Sequence, residues 1–167
     1  MGSIMVQGTT SSAGKSILCT ALCRIFKQDG IKVYPFKSQN MSSKYHKTKD
    51  GKMIAIAQAL QAWAAGLEPH ENMNPILLVP NSDLSSRLII NGDDSGETTS
   101  ADYFRNKAVL REMITERYKE IESLNELVII EGAGSPAEIN LNKDDIVNMG
   151  MAKIADAPVI LVTDIDR

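Results

Sequence analysis

A segment near the start of the chain, rich in glycine and hydroxyl residues, has the composition of a phosphate-binding loop. It runs from Gly8 to Ser16 with the sequence GTTSSAGKS. Five residues separate its glycines, whereas the common pattern has four. Small residues let successive backbone N–H groups point at one anion, and the positive end of a following helix strengthens that field. Lys15 is then placed to reach the β- and γ-phosphates of a nucleotide, and the Ser16 hydroxyl to ligate Mg²⁺.

The position of this loop between a strand and a helix favours nucleotide binding. Residues 4–6 form an apolar run, and a helical pattern begins at Lys15. The alternative is a glycine-containing turn that is capped by Ser12 and binds nothing. We predict ATP and Mg²⁺ as cofactors, and contacts to the nucleotide from Thr9, Thr10, Ser12, Ala13, Gly14, Lys15, Ser16 and Ile17.

A second motif consists of a carboxylate at the end of an apolar strand. Residues 128–130 are Val-Ile-Ile, and Glu131 follows them directly. Burying a carboxylate without a partner is costly, whereas a magnesium ion beside a nucleotide would provide that partner. The glycines at 132 and 134 then allow a ligand to approach the backbone closely. The alternative is a solvated glutamate followed by a flexible turn.

A third motif, Lys37 with Gln39 and Asn40, follows the second predicted strand. A lysine at this point faces the same cleft as the phosphate loop, where it could neutralise a second anion. This signal is weak by itself, and it gains weight from the two motifs described above.

These motifs require an α/β fold with a mainly parallel sheet flanked by helices, because apolar strands alternate with helical patterns. Ligands of such folds bind at the carboxyl ends of the strands. On the longest helix, Leu110, Ile114, Ile121 and Leu124 fall on one side. The pattern predicts strands at 4–7, 32–36, 76–79, 88–90, 127–130 and 159–162, and helices at 15–28, 54–65, 102–124 and 145–155.

Composition excludes several classes of function. The net charge of −3 over 167 residues gives no electrostatic basis for binding nucleic acid or an anionic membrane. No apolar run approaches the length of a membrane span, and no secretory signal is visible, so we predict a cytoplasmic protein. Cys19 and Cys23 are predicted to be buried thiols. The two histidines, His46 and His70, are predicted at surface or loop positions.

Several longer motifs follow one another along essentially the whole chain. They are GTTSSAGKS, Lys37 with Gln39-Asn40-Met41, Ala57-Gln58-Ala59, Met73-Asn74-Pro75, EGAGSPAEINL, DIVNMG and the closing DIDR. In this order they resemble the cobyric acid synthase family, and the segment from Glu131 to residue 141 is the most specific of them. The spacing of the phosphate loop is also similar to that of the wider dethiobiotin-synthetase-like group of P-loop NTPases.

The resemblance implies ATP-dependent amidation in cobalamin biosynthesis. The implied reaction converts adenosylcobyrinic acid a,c-diamide to cobyric acid through acyl phosphates, with ammonia taken from glutamine. It implies catalytic roles for Lys15, Lys37 and Glu131, and magnesium binding by Ser16, Glu131 and Asp50. Substrate contacts are expected from Gln39, Asn40, Gly132, Ala133, Gly134, Ser135 and Asn140, although structural hydrogen bonds explain Asn40, Ser135 and Asn140 equally well.

Two features depart from the family pattern. Met53 stands where relatives usually carry an acidic residue, so Asp50 or a water molecule would have to replace that residue at the metal. No cysteine–histidine pair for glutamine hydrolysis is visible. We therefore interpret residues 1–167 as an incomplete ATP-binding amidoligase domain, truncated after a late strand and lacking the family's glutaminase domain. The implied partners are a corrinoid, that glutaminase domain and, as an open alternative, a second copy of the chain.

Rival interpretations come from other functional classes. Asn142-Lys143-Asp144-Asp145 fits the guanine-reading pattern of a GTPase switch, but no buried strand precedes it. A positioning ATPase usually carries a lysine early in the phosphate loop, where this chain has Thr10. A nucleotide-binding module without catalysis remains a third alternative.

Overall fold

The computed structural model describes residues 2–81, 85–135 and 145–165, in which strands and helices alternate from the first strand onward. A single 3-10 turn lies at Glu71–Met73. The elements are β1 Gly2–Gly8, α1 Lys15–Gln28, β2 Val33–Phe36, β3 Gln39–Met41, β4 Tyr45–Lys47, β5 Met53–Ala55, α2 Ile56–Ala64, β6 Ile76–Pro80, β7 Ser85–Ile90, β8 Asp93–Thr99, α3 Ser100–Arg105, α4 Lys107–Leu124, β9 Leu127–Glu131, α5 Met149–Ile154 and β10 Val159–Val162.

A parallel sheet with the strand order β10-β1-β9-β2 forms the centre of the fold. In its register Val6 lies opposite both Glu131 and Ile160. The carboxyl ends of β1 and β9 therefore lie side by side. This arrangement confirms the predicted α/β fold with a parallel sheet flanked by helices.

Alternate residues of the central strands enter two cores, as the period-two geometry of a strand requires. Met5 and Ile130 pack in the cluster that contains Ile114 and Tyr118 of α4. Their neighbours Val6 and Ile129 pack in the cluster that contains both cysteines of α1. The central strands β1 and β9 are thus covered on both faces, which explains their apolar runs at residues 4–6 and 127–130.

A second sheet has the order β3-β6-β7-β8, in which β3 and β6 are parallel and the remaining pairs antiparallel. A further antiparallel pair joins β4 to β5. The sequence pattern did not predict β3, β4, β5 or β8. The reason is clearest for β8, whose sequence DDSGETT is polar and almost wholly exposed, so it carries no hydrophobic alternation.

Several predicted helix boundaries were wrong. The segment 102–124 is divided into α3 and α4 at Asn106, and Leu124 is 61% exposed instead of lying on the buried side. The helix predicted at 54–65 begins only at Ile56, after β5. The helix predicted at 145–155 is limited to Met149–Ile154, because the Asp145 side chain caps the preceding turn.

The two cysteines are buried and free, as predicted. Burial raises the pKa of Cys23 to about 12 and also raises the pKa of Cys19. Both thiols are therefore neutral at physiological pH and poor nucleophiles. No helix in the described ranges combines the length and apolar composition needed to cross a bilayer.

Candidate functional site

The carboxyl ends of three neighbouring strands bring the predicted site residues together. Gly8 ends β1, Glu131 ends β9, and Lys37 follows β2 directly. The loop after β1 then enters α1, where Gly14 has a φ of 96° at the N-cap. Glycine adopts this left-handed conformation at little cost, which accounts for its place before Lys15.

Lys15 lies buried over the phosphate loop, and none of the described carboxylates binds its ammonium group. Its Nζ donates to the carbonyl of Thr10 at 2.8 Å and to that of Gly134 at 3.2 Å. Burial, followed by the charge of Lys37, lowers the pKa of Lys15. Its side chain passes so close to Gly8 that an added Cβ there would lie 3.0 Å from the lysine Cγ. The first glycine of the loop therefore makes room for this lysine.

The hydroxyl of Thr10 is the clearest sign that the loop is built for a ligand. Its Oγ1 atom is buried and has no hydrogen-bond partner among the described residues. A buried polar atom without a partner is costly. A phosphate oxygen held by the loop would supply that partner.

Glu131 is the centre of a buried polar cluster. Its Oε1 atom accepts hydrogen bonds from Lys37 Nζ at 2.6 Å and from Ser16 Oγ at 2.7 Å. The side chains of Lys37 and Glu131 are only 8% and 1% exposed. The alternative of a solvated glutamate is therefore wrong: this carboxylate is buried and paired.

Two glutamines of α2 complete the cluster, and the sequence reasoning assigned them no role. Gln61 Nε2 donates to Glu131 Oε2 at 2.5 Å, and Gln58 Nε2 donates to the same atom at 3.3 Å. Asn40 in turn donates to Gln58 Oε1 at 2.8 Å. The signal was present in the sequence, since two glutamines spaced three residues apart interrupt an otherwise alanine-rich helix.

Oxygen ligands suited to magnesium are present at this point. Mg²⁺ is usually bound by one or two protein oxygens together with substrate phosphates. The Ser16 hydroxyl and the Glu131 carboxylate offer such a pair beside the loop, so the described residues fit the ion. In accord with so few protein ligands, no larger group of metal-binding side chains occurs within the described ranges.

Asp50 and Met53 lie outside this cluster. Asp50 is exposed in the turn between β4 and β5, and no hydrogen bond or ion pair found among the described residues links it to Ser16 or Glu131. Met53 is buried in a small apolar cluster with Ala55, Leu77 and Ile89. The described geometry therefore gives no support to the magnesium role predicted for Asp50.

Gly132 lies where no side chain fits. A Cβ atom built on it would be 2.4 Å from Asn148 Oδ1 and 3.2 Å from the carbonyl of Val6. Asn148 also donates to the carbonyl of Ala133 at 2.7 Å. The turn after Glu131 is thus held against β1 and against the segment that precedes α5.

Changing Gly132 to alanine is expected to destabilise the fold by about 1–3 kcal/mol, because the added methyl overpacks a buried site. Urea denaturation followed by circular dichroism would measure the loss. Gly2→Ala is the matched control, since nothing lies within 4 Å of a Cβ built there. Equal stability of the two variants would contradict the packing described for Gly132.

Asp145 caps a turn, which removes it from any role in reading guanine. Its Oδ1 atom accepts from the amides of Val147 and Asn148, and its Oδ2 atom accepts from the amide of Gly150. The other three residues of the guanine-reading pattern, 142–144, lie outside the described residues, as does Asn140. Asp145 is the one residue of the guanine-reading pattern that the structure describes, and its carboxylate is occupied by backbone amides. The described residues therefore give the GTPase interpretation no support.

A cavity of about 520 Å³ lies beside the phosphate loop. Ser11, Gln39, Ala133 and Gly134 contribute to its wall, so three of the predicted substrate residues share one space. Among the nucleotide residues, Ile17 is 78% exposed, so its side chain points into solvent. Ser135 is half-buried at the end of the described turn.

Comparison with known proteins agrees with this geometry. The family described as CobQ/CobB/MinD/ParA nucleotide binding domain matches residues 4–163. This chain belongs to that family. A solved structure of the signal recognition particle receptor FtsY from Elizabethkingia anophelis aligns at 18% identity with a TM-score of 0.47, covering 96% of this chain and 41% of that one.

Curated relatives confirm the resemblance to cobyric acid synthases. The cobyric acid synthase of Clostridium botulinum (strain Loch Maree / Type A3) is 57% identical over 167 residues, which is all of this chain and 34% of that protein. The cobyric acid synthase of Lachnoclostridium phytofermentans is 56% identical over 165 residues, or 99% of this chain and 32% of that protein. The chain thus spans about a third of the length of these relatives.

Proposed function

We propose that this chain is the ATP-binding, carboxylate-activating part of a cobyric acid synthase. The observation that carries the proposal is the hydrogen-bonded unit of Ser16, Lys37 and Glu131 beside the phosphate loop. The proposed reaction is the amidation of corrinoid carboxylates in the conversion of adenosylcobyrinic acid a,c-diamide to cobyric acid. ATP and Mg²⁺ are the proposed cofactors, and the cytoplasm is the proposed location.

A carboxylate accepts ammonia only after one of its oxygens has become a leaving group. In the proposed reaction a substrate carboxylate oxygen attacks the γ-phosphorus of ATP, the bond to the β–γ bridging oxygen breaks, and ADP leaves. Ammonia then attacks the acyl carbon, phosphate departs, and the nitrogen loses a proton. The protein supplies position and charge and needs no covalent nucleophile of its own.

The described side chains suit these tasks. Lys15 and the amides of the phosphate loop would hold the β- and γ-phosphates. Ser16 and Glu131 would hold magnesium, which when bound neutralises phosphate charge. Lys37 gives one of its three N–H groups to Glu131. No described residue accepts from the other two, which would orient the incoming carboxylate or the transferred phosphoryl group.

The remaining parts of the proposal concern partners. Ammonia would come from glutamine through a glutaminase domain, which belongs to the portion of the relatives that this chain does not span. The corrinoid would enter through the cavity lined by Gln39, Ala133 and Gly134. A second copy of the chain is an open alternative as a partner, and neither nucleic acid nor a membrane is a proposed partner.

A chimaera tests this function directly. The first third of the Clostridium botulinum cobyric acid synthase, the part that this chain matches, would be replaced by this chain. The chimaera would receive a corrinoid with ¹⁸O-labelled carboxylates, together with Mg-ATP and glutamine. We expect amidated corrinoid and one ¹⁸O atom in each phosphate released, because the activated oxygen leaves with the phosphoryl group.

Two variants of the chimaera test the role of Lys37, one by removing its charge and one as a control. Lys37→Met should reduce amidation at least about a hundredfold, since charge neutralisation at a transferring phosphoryl group is a large contribution. Lys153→Met replaces an exposed lysine of α5 and should leave the rate unchanged. Amidation without transfer of label to phosphate would refute the acyl phosphate route, and a folded chimaera without any amidation would refute the function.

A further inference from the structure

The cavity beside the phosphate loop has an unusual wall. Hydroxyl groups and apolar side chains make up most of it, and no aspartate or glutamate belongs to the described lining. Its volume of about 520 Å³ is in the range of small-molecule sites. The one charged residue among the described lining residues is Lys107.

Lys107 is buried at a position that disfavours a positive charge. It is the first residue of α4 and is only 6% exposed. The positive end of a helix repels a cation, and burial of an ammonium group is costly without an anion. Stability alone therefore does not explain a lysine at this position.

Of the two described acidic residues nearest to Lys107 in sequence, Glu112 is exposed and Asp102 is committed elsewhere. Asp102 forms an ion pair with Arg105 at 3.0 Å and accepts a hydrogen bond from Thr99 at 2.7 Å. Within the described ranges Lys107 takes part in no ion pair. Its Nζ lies 4.9 Å from the ring centroid of Phe104, which also lines the cavity. A cation–π contact of this kind compensates only part of the cost of burying the charge.

Another part of the lining is held by a hydrogen bond. Tyr103 donates its hydroxyl hydrogen to Oε1 of Gln39, and both residues line the cavity. Gln39 lies two residues after Lys37, so the cavity opens beside the cluster that would activate a carboxylate. A ligand in this space can contact the apolar wall, the hydroxyl groups and Lys107 together.

We infer that Lys107 binds a second carboxylate of the substrate, distinct from the one that is activated at Lys37. This inference rests on the proposed function. Apolar residues such as Leu78, Ile146 and Val147 in the same wall suit a large hydrocarbon framework with peripheral carboxylates better than they suit a nucleotide phosphate. Lys107 is thus a positioning residue that selects which edge of the substrate reaches the phosphate loop.

The first experiment probes the subsite without any corrinoid. The ¹⁵N-labelled chain is titrated with glutarate and, separately, with inorganic phosphate, and the amide shifts of residues 103–107 are followed by NMR. We expect glutarate to shift these signals. The Lys107→Met variant should bind glutarate about ten- to a hundredfold more weakly, which is the loss expected for a hydrogen bond to a charged group. Lys107→Arg should keep part of the affinity. Lys119→Met, on an exposed site of the same helix, should bind as the original chain does.

The second experiment uses cobyrinic acid a,c-diamide and a fully amidated corrinoid as probes. Lys107→Met should weaken binding of the first about tenfold or more and leave binding of the second and of ATP unchanged. Glutarate binding that depends on Lys107, without corrinoid binding, would uphold the subsite and refute the proposed function. Shifts produced by phosphate alone, or the same glutarate response with and without Lys107, would overturn the inference. If Lys107→Met fails to fold, the comparison of Lys107→Arg with Lys119→Met decides.

Discussion

Replacing Glu131 by glutamine is expected to remove most of the effect of Mg²⁺ on ATP binding and to lower the free energy of unfolding by about 3–5 kcal/mol, the usual cost of breaking a buried ion pair. The substitution leaves the buried ammonium group of Lys37 without its carboxylate. It also removes the charged oxygen that accepts from Ser16. Calorimetric titration of ATP with and without Mg²⁺, together with urea denaturation, would measure both effects.

Two further variants separate the metal role of Glu131 from its structural role. Glu131→Gln combined with Lys37→Met removes both members of the ion pair and should recover part of the stability, because no buried charge is left unpaired. Its Mg²⁺ dependence should stay low. Glu116→Gln, at an exposed position of α4, should change neither quantity. Equal losses of ATP affinity with and without Mg²⁺ would assign Glu131 a structural role only.

Replacing Lys15 by alanine is expected to weaken ATP binding about ten- to a hundredfold or more, while the chain stays folded. Lys15 donates only to two carbonyl groups, so its removal leaves no carboxylate unpaired. Burial lowers the pKa of Lys15, because removal from water disfavours the charged form of the ammonium group. The same titration with ATP and GTP would measure the loss of affinity.

The control for this variant lies on the same helix. Arg24→Ala changes an exposed cation of α1 and should preserve both affinity and stability. If Lys15→Ala bound ATP as tightly as the original chain, the nucleotide site would have to lie away from the phosphate loop. If it unfolded, Lys15 would have a packing role that its two hydrogen bonds do not indicate.

The elements that bury apolar residues on a regular period were predictable from the sequence. The bounds of α1 and β10 agree with the prediction, and the residues that end β1 and β9 meet where the fold rule places them. Asn106 shows the limit of such reasoning, because the apolar pattern continues across the break between α3 and α4. Strand β8 shows another limit, since it is held by pairing with β7 and has no apolar face.

The sequence identified Lys15, Ser16, Lys37 and Glu131 of the candidate site, and it missed two glutamines that complete the cluster. Lys15, Lys37 and Glu131 were identified because each carries a charge at the end of a strand or the start of a helix. Gln58 and Gln61 were missed because a glutamine on a helix normally faces solvent. Only the packing of α2 against the sheet turns both side chains toward Glu131.

The hydrogen bond from Lys15 to the carbonyl of Gly134 gives the phosphate loop a mechanical link to the turn after β9. A triphosphate that takes over this ammonium group competes with the Gly134 carbonyl and loosens one tether of that turn. Gly134 also forms part of the wall of the neighbouring cavity, so we expect the free energy of binding in the cavity to depend on whether the loop holds a nucleotide. Such linkage is reciprocal. A molecule that holds the turn away from Lys15 would therefore raise the affinity for nucleotide by the same factor by which nucleotide raises the affinity for that molecule.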